Sequence, residues 1–249
     1  MDKSKIGWRI LQYTGRAIAG VIAASIAIVV IYRFVPVYYT PLMALRSIEG
    51  FLNDKPTNTR HKWVDYESIS LPMKKSVIKA EDYRFFDHSG FDFDAIEKAM
   101  KYNKTHKQRK GASTISQQTA KNVFLWPSRS WLRKGLEAYF TVLIEALWSK
   151  ERILEVYLNV IELGHGVYGV EAAANKFFNK KALQLNHNEA ALMAAVLPNP
   201  RRFRIDRPSP YILGRQRKIM YRASPPVVKP PPAPEEDEDS MDLKLEDET

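Results

Sequence analysis

Residue types suited to acid–base and anion chemistry gather in three stretches between Glu81 and Glu137. The first, Glu81-Asp82-Tyr83-Arg84-Phe85-Phe86-Asp87-His88-Ser89-Gly90, ends an apolar segment (Val77, Ile78, Ala80) with a burst of polar groups. A carboxylate there can act as general base if its neighbours tune its pKa toward working pH. The second stretch, Gly111-Ala112-Ser113-Thr114-Ile115-Ser116-Gln117-Gln118-Thr119-Ala120-Lys121-Asn122, follows the basic run Lys107-Gln108-Arg109-Lys110. Thr114 and Gln117 have the spacing of a capping box. Thr114, Gln117 or Gln118, and Lys121 also share one helical face, offering hydroxyl, amide and ammonium groups to an anionic, hydroxyl-rich ligand such as a sugar phosphate. The third stretch holds Arg129, Arg133, Lys134 and Glu137. Arg133 and Glu137 alone could be a surface pair worth ~0.3–0.5 kcal/mol. That reading leaves Lys121, Arg129 and Lys134 unexplained. Several cations near a carboxylate suit a pyrophosphate leaving group, whose charge grows as the bond breaks.

Two short matches carry little. Gly164-His165-Gly166-Val167-Tyr168-Gly169 fits GxGxxG literally, but the segment before it reads as helix, whereas a dinucleotide loop needs a strand there. A helix-to-helix turn is expected. Asp92-Phe93-Asp94 resembles a metal-holding acidic pair, yet Asp94 can equally cap the helix that follows.

The elements that must position these residues read as helical. Periodicity predicts helices at Met73 to Tyr83, Phe93 to Tyr102, Thr114 to Phe124, Trp131 to Trp148, Lys150 to Glu162, Gly169 to Phe178 and Asn188 to Leu197. In the fourth, Leu132, Leu136, Tyr139, Leu143 and Leu147 keep helical spacing. Val37 to Asn53 reads as a semi-apolar junction and Asp54 to Ser70 as loop. No strand series and no fixed repeat is visible, so the fold class is mainly α.

At the N-terminus Lys3, Lys5, Arg9 and Arg16 precede an uncharged run from Ala17 to Tyr32, closed by Arg33. Its 16 residues span about 24 Å as helix, short of a ~30 Å hydrocarbon core, and the flanking arginines can snorkel outward. Bulky Phe34, Pro36, Tyr38 and Tyr39 stand where signal-peptide cleavage wants small residues. An uncleaved single-pass anchor over residues 17–37 is therefore expected in the cell's inner (cytoplasmic) membrane. Residues 1–16 would be cytoplasmic and the body on the outer, periplasmic face. A membrane-proximal segment (38–62) and one domain (63–223) follow.

The chain has 249 residues, a net charge of +10 and no cysteine, which removes disulfide scaffolds, thiolate metal sites and cysteine nucleophiles. Residues 225–249 hold nine acids against two lysines, a net of −7, so the other 224 residues carry +17. Residues 224–249 open Pro-rich and then turn acidic, and are expected to be disordered. Basicity first suggests nucleic acid or an anionic lipid or phosphate. Export of the basic body leaves the last two, with no nucleic-acid partner expected.

Together these segments resemble the peptidoglycan glycosyltransferases of glycosyltransferase family 51. The similarity continues through Ile153-Leu154-Glu155-Val156-Tyr157-Leu158-Asn159, Gly164, Gly169, Ala172-Ala173 and Leu197-Pro198-Asn199-Pro200, and spans roughly Trp63 to Met220. Ala112 and Ser116 stand where Gly and Thr are common in that family. Bifunctional relatives continue into a transpeptidase domain with Ser-x-x-Lys and Lys-Thr-Gly motifs. Only the acidic tail follows here, so the monofunctional form is expected. The resemblance implies a lysozyme-like helical domain with a small membrane-facing jaw, with Tyr38 to Leu52 seated at the bilayer. It implies polymerisation of lipid II into β-1,4-linked glycan, with inversion and release of undecaprenyl pyrophosphate. Glu81 would be the base and Glu137 a second catalytic carboxylate. Lys121, Arg129, Arg133 and Lys134 would hold donor phosphates, with Ser113, Thr114, Gln117, Gln118, Asn122 and His88 also binding substrate. A divalent ion (Mg or Mn) at the pyrophosphate and other cell wall or division proteins are further implied partners. Two other readings stand beside this one: a lysozyme-like hydrolase or lytic transglycosylase, and a non-catalytic anchored scaffold.

Overall fold

The computed structural model describes residues 3–52, 59–107, 109–128 and 130–223. The acidic tail expected to be disordered lies outside them. Ten α-helices dominate the described residues, so the mainly α expectation holds. They are α1 (Lys3–Phe34), α2 (Pro41–Leu52), α3 (Leu71–Glu81), α4 (Phe93–Thr105), α5 (Ile115–Phe124), α6 (Trp131–Leu147), α7 (Lys150–Val160), α8 (Val170–Phe178), α9 (His187–Val196) and α10 (Pro210–Ala223).

α1 is longer than the predicted anchor. It starts well before Ala17 and ends at Phe34, and its stretch Leu11–Phe34 is long and apolar enough to cross a membrane. Its last turns are fastened to the domain. The Trp148 indole donates to the Val29 carbonyl (2.8 Å). Arg152 donates to the carbonyls of Tyr32 (2.8 Å) and Val35 (2.7 Å). Ser25 and Tyr139 hydroxyls meet at 2.7 Å. A guanidinium on the late carbonyls of a helix satisfies acceptors that the helix leaves open and complements its dipole.

The core is a helical stack. α9 buries Ala190, Ala191, Ala194 and Ala195, and these small side chains let α3 and α10 pack closely on it. α5 packs between α6 and α7, and α7 supplies Ile153, Leu154, Val156, Tyr157 and Leu158 to the interior. α6 departs from its predicted stripe. Its buried residues are Glu137, Thr141 and Ile144, whereas Leu132 is 72% exposed and Trp131 93% exposed. Phe140, Leu143 and Leu147 pack against the core from beside these buried residues, and α1 also packs on this helix.

Two expectations change. The junction is helical (α2), and the predicted loop contains a strand, β1 (Arg60–His61), and a 3-10 turn at Tyr66–Ser68. β1 pairs in parallel with β3 (Val167–Tyr168), which pairs antiparallel with β2 (Glu162–Gly164). The glycine-rich motif is therefore a hairpin between α7 and α8, not a helix-to-helix turn. Strands of two or three residues are too short to show alternation. Buried Asn159 stitches the segment that follows β1 to α7. Its amide accepts from Val64 N (2.9 Å) and donates to the Val64 (2.8 Å) and Glu155 (2.9 Å) carbonyls.

Gly169 starts α8 at φ +80°, and a Cβ there would lie 2.5 Å from the Asn159 carbonyl oxygen. Both the backbone angle and the contact demand glycine. Gly169→Ala is expected to cost at least about 2 kcal/mol, seen as a melting temperature lower by roughly 4–8 °C.

Candidate active site

Glu81 is the last residue of α3. Ser70 caps that helix, accepting from Met73 N at 3.2 Å, and Pro72 stands in its first turn. A carboxylate at a helix C-terminus faces the negative end of the dipole, and burial acts in the same direction. Burial raises the Glu81 pKa above the usual glutamate value. A hydrogen bond from Gln118 and the charges of Arg215 and Lys121 oppose this, while Asp82 adds to it.

The next residue locks the geometry. The Asp82 carboxylate accepts from Ile115 N (2.9 Å) and from His88 Nε2 (2.9 Å), tying the end of α3 to the start of α5. Gln118 Nε2 then donates to Glu81 at 2.9 Å. Buried Tyr157 donates to the Gln118 carbonyl oxygen at 3.3 Å, which fixes which end of the amide faces Glu81. Burial pushes the Tyr157 phenol well up, so it remains a donor.

Two clefts meet here. One of about 510 Å³ is lined by Gln118, Lys121, Asn122, Arg133 and Tyr157, with apolar walls from Trp126 and Pro198. One of about 280 Å³ is lined by Glu81, Asp82, Arg84, Ser113 and Thr114. The Glu81–Gln118 hydrogen bond bridges them.

The cations stand on the larger cleft's side. Lys121 is held below the usual lysine value by burial; Glu137 opposes this, and the Arg133 and Lys134 charges reinforce it. Glu137 is buried beneath them, accepting from Arg133 (2.7 Å) on one oxygen and from Lys134 on the other. Its carboxylate keeps two cations and a buried ammonium together that would otherwise repel. With both oxygens taken, Glu137 positions the cluster.

Several predicted ligands have other duties. Thr114 and Gln117 are consumed by the capping box that starts α5, at 3.0 Å and 3.2 Å, and Thr114 also donates to the Gly90 carbonyl (2.6 Å). Gln117 lines neither cleft, and Thr114 borders only the smaller. The His88 side chain is buried on Asp82 and lines neither cleft. Arg129 lies outside the described residues. Asp92, not Asp94, caps α4, accepting from Ala95 N at 2.9 Å, while Asp94 pairs with Arg84. These carboxylates and Glu137 are engaged by their own neighbours, so the donor set does not fit a divalent ion at either place.

Sequence reasoning passed over Tyr157, Asp82 as a separate residue, and Arg215. Arg215, on α10, donates to the Ala195 carbonyl (3.1 Å) and carries positive charge toward Glu81. No local spacing could signal it.

A carboxylate with a raised pKa between two clefts, with cations banked along one, defines a group-transfer site for a donor with an anionic leaving group. The sequence model of the family described as transglycosylase matches residues 48–224. A biosynthetic peptidoglycan transglycosylase of Bdellovibrio bacteriovorus is 61% identical over 223 residues, covering 89% of each chain. One from Bacteroides thetaiotaomicron is 52% identical over 95% of each, and one from Yersinia pestis is 49% identical over 86% of this chain and 90% of its own. The chain belongs to the transglycosylase family.

Proposed function

We propose that this chain, a peptidoglycan glycosyltransferase of cell wall synthesis, joins lipid II units with Glu81 as general base. The observation that carries this is the place of Glu81 at the boundary of the two clefts, with the Lys121, Arg133 and Lys134 cluster gathered around Glu137 on the side of the larger one. The donor, a glycan on polyprenyl pyrophosphate, lies in the larger cleft with its phosphates on Lys121 and Arg133, and Lys134 adds charge from beside them. The acceptor lipid II lies in the smaller. Glu81 takes the proton of the acceptor GlcNAc 4-hydroxyl, whose oxygen attacks C1 of the donor MurNAc. The C1–O bond to the α-linked pyrophosphate breaks, its electron pair leaves with the phosphate, and a β-1,4 bond forms. The cations stabilise charge that is larger in the transition state than in the bound donor. Gln118, set by Tyr157, holds Glu81 in place.

The chain sits in the inner membrane as a single-pass protein with a cytoplasmic N-terminus and the domain on the outer face. This is supported by the apolar span of α1, the basic residues before it, and the docking of its last turns on α6 and α7. Exposed Tyr38, Tyr39, Phe51, Leu52, Trp131 and Leu132 provide apolar surface for the bilayer interface.

The test follows anomeric configuration by NMR with purified full-length protein and lipid II. Loss of the α-pyrophosphate signal in step with gain of a β-linked one, one polyprenyl pyrophosphate per bond, is expected. Release of fragments from finished peptidoglycan without bond formation would instead support the hydrolytic reading.

A further inference from the structure

We propose that the acidic segment 235–248 of this chain docks on α4 and covers the mouth of the smaller cleft. The docking stands apart from the reaction. Its consequence, slower entry of the acceptor, rests on the glycosyltransferase reading above.

α4 has an unpartnered face. None of its residues is buried, and no other described element packs broadly on it. It is held at its ends. Asp92 caps its start and Arg84 pairs with Asp94, while the Asn103 side chain exchanges hydrogen bonds with the Lys110 backbone (2.7 and 3.0 Å). A helix of 13 residues is marginal alone in water, so one this bare is stabilised by whatever covers it.

The charge of that face selects an anion. Between Ala95 and Lys110 six cations (Lys98, Lys101, Lys104, Lys107, Arg109 and Lys110) stand against one carboxylate, Glu97, which pairs with Lys101 at 2.6 Å. Lys98, Lys104, Lys107 and Arg109 make no ion pair within 4.0 Å among the described residues. Phe93 and Met100 are exposed on the same helix. Other cations are engaged or fewer. Arg133 and Lys134 share Glu137, Arg201 lies 3.8 Å from Glu49, Arg204 pairs with Asp206, and α10 offers Arg217 and Lys218.

The complement is in the same chain. Residues 235–239 are five consecutive acids, and Met241, Leu243 and Leu245 alternate with Asp242 and Lys244 before three more acids. The acids suit the lysines, and the apolar side chains suit Phe93 and Met100. A tethered segment needs little affinity of its own, because its effective concentration is high. The tether is long enough. α10 packs on α3, and the Arg215 charge acts on Glu81, which lines the smaller cleft together with Lys98. α10 ends at Ala223, about 12 Å along the helix from Arg215. The stretch from Ala223 to Glu235 spans up to about 40 Å. Ala95 and Lys98 of α4 line the smaller cleft, so a segment seated on α4 narrows its mouth.

The chain has no cysteine, so two introduced thiols are its only ones. Ser240→Cys is combined with Thr105→Cys on α4, or with Lys176→Cys on α8, in full-length protein treated with a short bismaleimide. Crosslinking to position 105 is expected to be at least about fivefold faster than to 176 at low salt. That advantage should vanish at roughly 0.5 M salt. The full chain with Glu235→Gln, Glu236→Gln, Asp237→Asn, Glu238→Gln and Asp239→Asn should polymerise lipid II with kcat/KM about threefold above wild type at low salt, as when a closed state is emptied. Lys101→Glu with Lys104→Glu should abolish the crosslinking advantage, and changing residues 235–239 to lysine in that background should restore it. Equal crosslinking at the two positions, or an advantage indifferent to salt, would overturn the docking; vesicle binding lost with Lys101→Glu and Lys104→Glu would then give the helix to anionic lipid. Crosslinking at α4 without a rate gain would overturn the control of entry. Polymerisation by Glu81→Gln would instead defeat the underlying reaction and leave the crosslinking result standing.

Discussion

Glu81→Gln is expected to lower kcat/KM for lipid II polymerisation about 10³-fold, the range of a positioned general base, while the protein still folds and binds substrate. The substitution keeps size and an acceptor oxygen for Gln118 Nε2, so the Glu81–Gln118 contact has a substitute and the loss reports proton transfer. The wild-type pH profile should carry an acid limb above the ordinary glutamate value, because burial favours the protonated acid. Arg215→Gln, which removes an opposing cation, should move that limb further up. The stability effect has a definite sign. A carboxyl whose pKa is raised on folding contributes stability that is fully present below its unfolded pKa, near 4.3, and is lost as pH rises through the folded value. Above the folded value the ionised Glu81 is therefore a burden on the fold, and there Glu81→Gln should melt no lower than wild type. Calorimetry beside the rate assay checks both; a large fall in melting temperature would assign the lost activity to structure.

Lys121→Ala is expected to lower kcat/KM by about 10²–10³-fold, as when one preorganised charge partner of the transition state is removed. Lys121 is largely enclosed in the cleft wall, and the cluster beside it is assembled by Glu137. Preorganised charge of this kind needs no reorganisation as the pyrophosphate departs. Because burial lowers its pKa, an ammonium here is maintained partly by Glu137 and is reinforced by bound phosphate. Wild-type activity should thus carry an alkaline limb below the ordinary lysine value, and Lys121→Arg, which remains charged, should lose that limb while keeping part of the rate. Steady-state kinetics across pH on the three proteins is the measurement; an unchanged rate for Lys121→Ala would contradict the phosphate role.

How much of this was legible beforehand differs by residue. Glu81, Gln118, Lys121 and Arg133 stood out because polar groups interrupt amphipathic segments, and the structure brings them to one place. The Thr114-x-x-Gln117 signal was also legible, but as a cap, and the cap reading describes those side chains. His88 was offered through the family resemblance alone, and its hydrogen bond to Asp82 becomes visible only in the tertiary structure. Tyr157 and Arg215 were hidden for a common reason: each lies on a separate element brought to the site by packing. The apolar spacing of α6 was legible, but helical periodicity does not say which of its residues the core receives: Leu143 and Leu147 pack on it while Leu132 is exposed. The hairpin between α7 and α8 was hidden by its brevity.

The most direct test gives purified full-length protein lipid II in detergent or liposomes and resolves the products by size, with Glu81→Gln alongside. The account predicts strands that lysozyme digests, made by the wild type and not by the variant, with polyprenyl pyrophosphate released in step. Strands made equally by both proteins would contradict the role of Glu81, and no strands from either would contradict the glycosyltransferase itself.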